Sequence, residues 1–327
     1  MALLNWWQPL RKMLIAPAVL GRNGVLGMNA RNRLYISRYN NRAFYPLVDN
    51  KLKTKRLAEQ FDIPVPELID VIESQHQVAD LQRYLQLLNS FVIKPSKGSG
   101  GKGILVLQGR DGDHWIKSSG ALVSLQEIQR HVSNILAGLY SLGGTPDVAI
   151  IEHCIQFDQS LVGFSHEGVP DIRVIVCRGY PVMAMTRLAT HSSDGKANLH
   201  QGAVGVGISL LTGKAIFGVM QGQRVKIHPD TGEDLARLQI PHWQTVLELA
   251  ARCYDVTGLG YLGTDVVIDA ERGPMLLELN ARPGLAIQMA NGQGLLPRLR
   301  KIDQLSHAEI RKPVAERVRL SQQWFAD

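Results

Sequence analysis

Two stretches of this chain hold the residue types of phosphate and metal chemistry. The first is Phe91-Val-Ile-Lys94-Pro-Ser-Lys97-Gly98-Ser99-Gly100-Gly101-Lys102-Gly103-Ile-Leu-Val-Leu107. It is an apolar run, a glycine-rich loop among three lysines, and a second apolar run. Glycine lets a backbone approach an anion closely, and successive amides can cradle its oxygens. The lysines supply counter-charge. Gly98, Gly100 and Gly103 match the spacing of the dinucleotide fingerprint, but that motif needs a helix straight after the loop. Here Ile104 to Leu107 is short and aliphatic, and the turn Gly109-Arg-Asp-Gly112 follows, so a second strand is expected. The Walker pattern fails too, with Ser96 at its first glycine and Gly103 at its Ser/Thr. A strand–loop–strand flap over a nucleoside triphosphate satisfies the pattern. A plain flexible hairpin is the competing reading.

The second stretch is Gly263-Thr-Asp265-Val-Val-Ile-Asp269 followed by Met275-Leu-Leu-Glu278-Leu-Asn280-Ala-Arg282-Pro-Gly284. Glu278 and Asn280 are two apart on an expected strand, so they share a face. A turn centred between Glu271 and Arg272 sets Asp265 opposite Glu278. Two carboxylates and an amide oxygen on one sheet face suit Mg²⁺, a hard ion that prefers oxygen ligands and phosphate partners. Ordinary polar residues on a half-exposed hairpin are the alternative. Asp269 reads as a turn residue. Arg173 lies between Ile172 and Val174, and Arg187 follows Met183-Ala-Met185. Charges set in apolar strands need an anionic partner.

The elements that must position these groups follow from period and punctuation. Asn50 is a plausible N-cap for a helix over Lys51 to Gln60, which stops before the extended Ile63-Pro-Val-Pro66. A second helix is expected from Val78 to about Leu88 on its helical spacing. Ser124-Leu-Gln-Glu127 is a capping box opening a third helix that ends at Gly143-Gly144. Val148 to Ile151 reads as a buried strand entering Glu152-His-Cys154. Strands at Ile172 to Cys177 and Pro181 to Arg187 flank the turn Arg178-Gly179, and a helix over Pro241 to Tyr254 ends at Gly258. Strand pairs joined by tight turns argue for antiparallel sheets with helices on one face, an α+β protein.

With 327 residues the chain can bury a large core and form two or three subdomains. Its net charge of +7 suits a polyanionic ligand without selecting one. Cys154, Cys177 and Cys253 lack metal-type spacing, which points to ordinary burial in a reduced, cytoplasmic compartment. No apolar run approaches the ~18–20 residues that span a bilayer. The opening residues lack a basic segment before their apolar part, and Pro9 and Arg11-Lys12 interrupt them, so no signal peptide is read there. Trp6 and Trp7 beside Arg11 and Lys12 could meet a membrane surface or a partner. Docking on the protein's own core is the preferred reading, since large aromatics are mostly buried. Residues 16–45 show no clear period; Gly21-Arg-Asn-Gly24 and Asn29-Ala-Arg-Asn32 read as loops, and Arg22, Arg31, Arg33, Arg38 and Arg42 could face an anion, with a solvated face as the default reading. With no basic stripe interleaved with aromatics, nucleic acid is not an expected partner.

The order of these features resembles the ATP-grasp superfamily, and within it the ribosomal-protein-modifying α-L-glutamate ligase group, over roughly residues 46–298. The resemblance implies two α+β lobes with antiparallel sheets enclosing ATP. It implies an N-terminal arm (1–45), a lobe with the glycine flap (46–148), a lobe with the metal site (149–300) and a tail (301–327). Lys51, Lys94 and the flap residues Gly98, Ser99, Gly100 and Gly101 would contact the nucleotide, with the backbone around Glu152 and Cys154 on adenine. Asp265, Glu278 and Asn280 would hold Mg²⁺, as a pair of ions, with Mn²⁺ as a substitute. Arg187 and Asn198 would meet the transferring phosphate, and Arg173 the acceptor carboxylate. The implied activity is an ATP-dependent carboxylate–amine ligase acting through an acyl phosphate on an amino acid, peptide or protein.

The pattern departs from that group at two points. About 45 residues precede the grasp where such ligases carry a whole α/β domain, and Gln201 follows Asn198-Leu-His200 where glutamate ligases tend to have arginine. A non-catalytic nucleotide-binding module and an ATP-grasp kinase are the other readings. The protein-kinase pattern does not fit, because no His-Arg-Asp or Asp-Phe-Gly occurs.

Overall fold

Aliphatic runs joined by tight turns build two separate antiparallel sheets in the computed structural model, which describes residues 17–326 apart from Ser99 and Asp194. In chain order the first half comprises α1 (Lys51–Gln60), β1 (Leu68–Ile72), α2 (Gln75–Leu85), β2 (Phe91–Pro95), β3 (Leu105–Asp111), β4 (His114–Lys117), β5 (Leu122–Val123), α3 (Leu125–Leu136) and β6 (Ala149–Glu152). The six strands pair in the order β1-β6-β2-β3-β4-β5. Helices α2 and α3 pack together over this sheet, and their apolar stripes (Val78, Leu81 and Leu85; Ile128, Val132 and Ile135) close a core with Phe91, Ile93 and Ile151. The box at Ser124 forms in both directions, Glu127 N donating to Ser124 Oγ and Ser124 N to Glu127 Oε2. Helix α2 ends three residues before Leu88, which still packs against this core, while Leu87 points to solvent at 83% exposure.

The second sheet holds β7 (Asp171–Cys177), β8 (Tyr180–Leu188), β9 (Val204–Ile208), β10 (Ala215–Met220), β11 (Gln223–Val225), β12 (Tyr261–Asp269) and β13 (Gly273–Asn280), in the order β11-β10-β9-β8-β7-β12-β13. Helix α4 (Trp243–Thr257) packs on β7, β8 and β12 and stops at Gly258, whose φ of +67° suits glycine. Helices α5 (Ile287–Asn291), α6 (Leu296–Asp303) and α7 (Val314–Trp324) complete the larger core.

Four segment assignments change. Strand β6, placed by the sequence at the start of the second lobe, lies inside the first sheet between β1 and β2. Its four residues are fully buried and need a partner on each edge, which β1 and β2 supply. The segment before residue 46 is not a separate arm where it is described: Leu26, Tyr35 and Ile36 enter the second core, with the Tyr35 ring 5.9 Å from that of Tyr261. The tail is likewise packed, Val318 and Phe325 being buried in the same core. Helix α1, expected in the first lobe, sends Ala58 into the second core as well.

Cys177 and Cys253 are buried free thiols. Among the described residues no helix is long and apolar enough to cross a membrane. Trp6, Trp7, Arg11 and Lys12 lie outside the described residues.

Candidate active site

The flap is anchored by a residue that the sequence did not single out. Asp147, just before β6, is 5% exposed. It accepts hydrogen bonds from Ser96 Oγ (2.5 Å), Ser141 Oγ (2.6 Å), the Lys97 amide (2.9 Å) and the Val148 amide (2.8 Å). Burial alone would raise its pKa, but these donors outweigh it and hold the carboxyl below its ordinary range. One carboxylate thus ties the start of the loop to the segment that follows α3. Beyond it, Gly100 and Gly101 have φ of +63° and +76°, the left-handed region that glycine adopts without strain. A Cβ on Gly100 would meet nothing within 4 Å, so this glycine is required by backbone geometry and not by crowding. Ser99 lies outside the described residues.

Lys94, Glu152 and Lys55 form a buried group beneath the flap. Glu152 pairs with Val92, two residues before Lys94, so all three side chains of that row share a face. Lys94 Nζ forms an ion pair with Glu152 Oε1. Lys55, one helical turn after Lys51, lies 2.9 Å from Glu152 Oε2, an ion pair without hydrogen-bond alignment, and donates to the Pro66 carbonyl. Desolvation lowers the Lys55 pKa. Desolvation would raise that of Glu152, but Lys94 and Lys55 together hold it below the usual carboxylate range. The group carries two positive charges and one negative. Lys55 was not among the expected site residues; its spacing of four from Lys51 was the available signal.

Lys51 joins the lobes. At the start of α1, capped by Asn50 Oδ1 accepting from the Lys53 amide, its Nζ donates to Gly98 O (2.7 Å) and Glu278 Oε1 (3.0 Å). One cation thus spans from the glycine flap to β13.

On β13 the expected register is met: Glu278 faces Asp265. Nearer the turn the pairing is offset by one, Val267 facing Met275, and a bulge after Asp265 absorbs the difference. Asp265 also faces Arg173 on β7, and Asp171 faces Arg187 on β8, so these side chains line one face of the sheet. Asp265 accepts from Arg173 Nε (2.5 Å) and Nη2 and from Arg187 Nη2 (2.8 Å). Arg187 also clamps Asp171 with Nε (2.6 Å) and Nη2. Two arginines and two aspartates cancel in charge. Burial would raise the Asp265 pKa, but the arginines hold it well below the ordinary value. Asp171 moves the other way, raised by burial and by Asp265 beside it.

The three metal candidates differ in contacts. Asp265 is held by arginines, Glu278 by Lys51, and Asn280 Oδ1 accepts from the Arg282 amide (2.8 Å), shaping the turn toward Gly284. Among the described residues no three His, Cys, Asp or Glu side chains gather as a cage. The donors are nonetheless all hard oxygens and so fit a divalent ion in kind, which would take the place of the Arg and Lys partners these carboxylates now have.

Asn198 serves its own loop, Oδ1 accepting from the His200 amide (3.0 Å). That loop reaches the site on two sides. Leu199 lies over Gly205, which faces Arg187, and the Lys196 side chain comes to 4.0 Å from a Cβ built on Gly101 at the flap. Cys154 does not join the lysines. It lines a cavity of about 170 Å³ with His153, Gln156, Asp269 and Met275, and burial pushes its thiol up to about 11.

A family model described as "Sugar-transfer associated ATP-grasp" matches residues 30–304. No curated protein matches the sequence. Similar solved structures include the ATP-grasp ligase PsnB complexed with a minimal precursor (TM-score 0.45, 14% identity, 86% of this chain and 63% of that one). Others are the D-cycloserine synthetase DcsG (0.46, 16%, 84% and 71%) and a RimK domain protein ATP-grasp from Sphaerobacter thermophilus (0.45, 16%, 80% and 70%). The chain thus spans under two thirds of the length of PsnB.

Proposed function

The chain belongs to the sugar-transfer associated ATP-grasp family, and from that premise we propose that it is an ADP-forming carboxylate–amine ligase. The observation that carries the reading is the Lys51 bridge. It ties the glycine flap at Gly98 to Glu278, which supports a reading in which the flap and β13 serve one cleft.

In this reading ATP lies between the two sheets. Lys94, Lys51 and the backbone of Gly98, Ser99, Gly100 and Gly101 take the phosphates, and the main chain from Glu152 to Cys154 meets adenine. The buried Lys55–Glu152–Lys94 group keeps an excess positive charge, which a nucleotide phosphate completes. Asp265, Glu278 and Asn280 would hold Mg²⁺, in the family's manner a pair, which would neutralise charge on the phosphate oxygens.

A substrate carboxylate oxygen attacks the γ-phosphorus, and the bond to the ADP oxygen breaks. An amine nitrogen then attacks the acyl carbon, the carbon–oxygen bond to phosphate breaks, and the nitrogen loses a proton. Arg187, beside the Asn198 loop, is placed to neutralise the transferring group, and Arg173 to hold the carboxylate once it leaves Asp265. Catalysis of this kind is mostly positioning and charge neutralisation. Amino acids, peptides and proteins are the acceptor classes, with glutamate one candidate among the amino acids.

The test supplies hydroxylamine as a surrogate amine across a panel of amino acids and short peptides. A ligase yields hydroxamate, ADP and phosphate in equal amounts. A stable phosphorylated product without hydroxamate would instead make the chain a kinase, and tight ATP binding with no turnover a binding module.

A further inference from the structure

Charge is distributed unevenly along this chain. The first 45 residues contain seven of the 36 basic residues and no aspartate or glutamate, which leaves 29 basic residues to balance the 29 acidic ones in the rest. The whole net charge of +7 therefore belongs to this segment, and the lobes that carry the candidate active site are neutral in sum.

The same segment shows apolar side chains to solvent. Val19, Leu20, Met28, Leu34 and Phe44 are between 37% and 64% exposed. They are five of the fourteen large exposed hydrophobics among the described residues, gathered within positions 19–44. Loose packing is not the reason. The helical run from Met28 to Tyr39 is pinned on its inner side: Tyr35 and Ile36 enter the core, Tyr39 Oη donates to Asp303 (2.6 Å), and Asn40 Nδ2 to Tyr261 O (2.7 Å). Arg31 also turns inward, donating to Pro283 O (2.7 Å). That leaves Arg33, Leu34, Ser37 and Arg38 on the outer side, with Arg22 and Arg42 exposed on the flanking short helices Pro17–Arg22 and Arg42–Phe44. Arginine and aliphatic side chains are held outward together, with no acidic residue among them.

We propose that this face seats the protein on an anionic lipid surface. Aliphatic side chains gain by entering the headgroup boundary, and cations gain from negative lipids, the one carboxylate beside the run, Asp303, being bound from its inner side by Tyr35 and Tyr39; the combination marks helices that lie in a membrane interface. Single-stranded nucleic acid is gripped by cations with stacking aromatics, and here the exposed apolar groups are aliphatic apart from Phe44. The sixteen residues that precede the described chain continue the composition, with Arg11, Lys12, Trp6 and Trp7 and no acid. Tryptophan favours the level of the headgroups. This placement does not depend on the reaction the site performs.

The full chain is sedimented with vesicles of phosphatidylcholine alone and with about one third phosphatidylglycerol. Partitioning should be at least about tenfold stronger on the anionic vesicles, and sodium chloride raised from about 0.1 to 0.5 M should release the bound protein. The triple variant Arg22→Glu, Arg33→Glu, Arg42→Glu and the double variant Met28→Ser, Leu34→Ser should each bind anionic vesicles about tenfold more weakly, with affinity for an ATP analogue unchanged as the check on folding. Equal partitioning on the two vesicles, or binding indifferent to salt, overturns the proposal without recourse to any variant. Capture by poly-glutamate but not by vesicles also overturns it and assigns the face to an acidic protein partner.

Discussion

The two lobes bury charge in opposite ways. Under the flap, Lys55 and Lys94 share one carboxylate, so the group is positive and electrostatically incomplete. On the second sheet, Asp171, Arg187, Asp265 and Arg173 alternate in sign across three strands and cancel. A buried excess charge is costly, and a polyanion in the cleft relieves that cost. A balanced row is self-sufficient, and a ligand must displace one of its partners to use another. The first arrangement suits binding an anion. The second suits handing a guanidinium to a substrate while a cation takes over its aspartate.

Removing the common carboxylate should give the largest effect. Glu152→Ala leaves two lysines buried with no anion, and breaking a buried pair from one side costs about 3–5 kcal/mol. Urea unfolding should show that loss, and saturating ATP should recover part of it. A loss under about 1 kcal/mol would mean that water already screens the lysines.

Next comes the row on the second sheet. Glu278→Gln keeps the shape and removes the charge opposite Asp265 and Lys51. ADP release at saturating Mg²⁺ should fall by about a hundredfold or more, as for a site losing part of its electrostatic clamp. Wild-type turnover would move the metal site elsewhere.

Acid should separate the lobes. The folded-state pKa of Glu152 lies below its ordinary 4.5, so its stabilisation is present above that value and is lost as pH falls. Asp171 is raised above its ordinary 3.8, so the folded state binds its proton more tightly and its contribution grows as pH falls through that range. Asp265, held low, loses its own contribution only below 3.8. Between pH 4.5 and 3.8, hydrogen exchange should therefore rise first in α2 and α3 and later in β7 and β8. The reverse order would refute the contrast.

The smallest change tests the asymmetry inside the first group. Lys55→Met leaves Lys94 and Glu152 as a neutral pair, so stability should shift by less than about 1 kcal/mol in either direction. Calorimetry should show weaker ATP binding, since one of the excess charges has gone. Unchanged affinity would reduce Lys55 to packing.

How much of this was legible in advance depended on the range of each contact. The helix starts at Asn50 and Ser124 and the end at Gly258 were readable, because caps and turns are local chemistry. So was Asp265 opposite Glu278, since one hairpin turn sets the register between them. The glycine flap and the metal-type stretch were enough to place the chain in the ATP-grasp superfamily, which the family match bears out. Lys55 on Glu152, Asp147 on Ser96 and Arg187 on Asp265 join positions 97, 51 and 78 residues apart, and no local pattern connects them. Strand β6 shows the same limit: its sequence specified a buried strand, but which sheet buried it was decided by the open edges of β1 and β2. The sequence by itself determined which residues carry charge, where helices begin and which hairpin carboxylates face each other, because these are properties of types and short spacings. Only tertiary structure decided which charges share a counter-ion, since burial removes water and leaves each ion to find its partner among whatever strands and helices the two cores bring beside it.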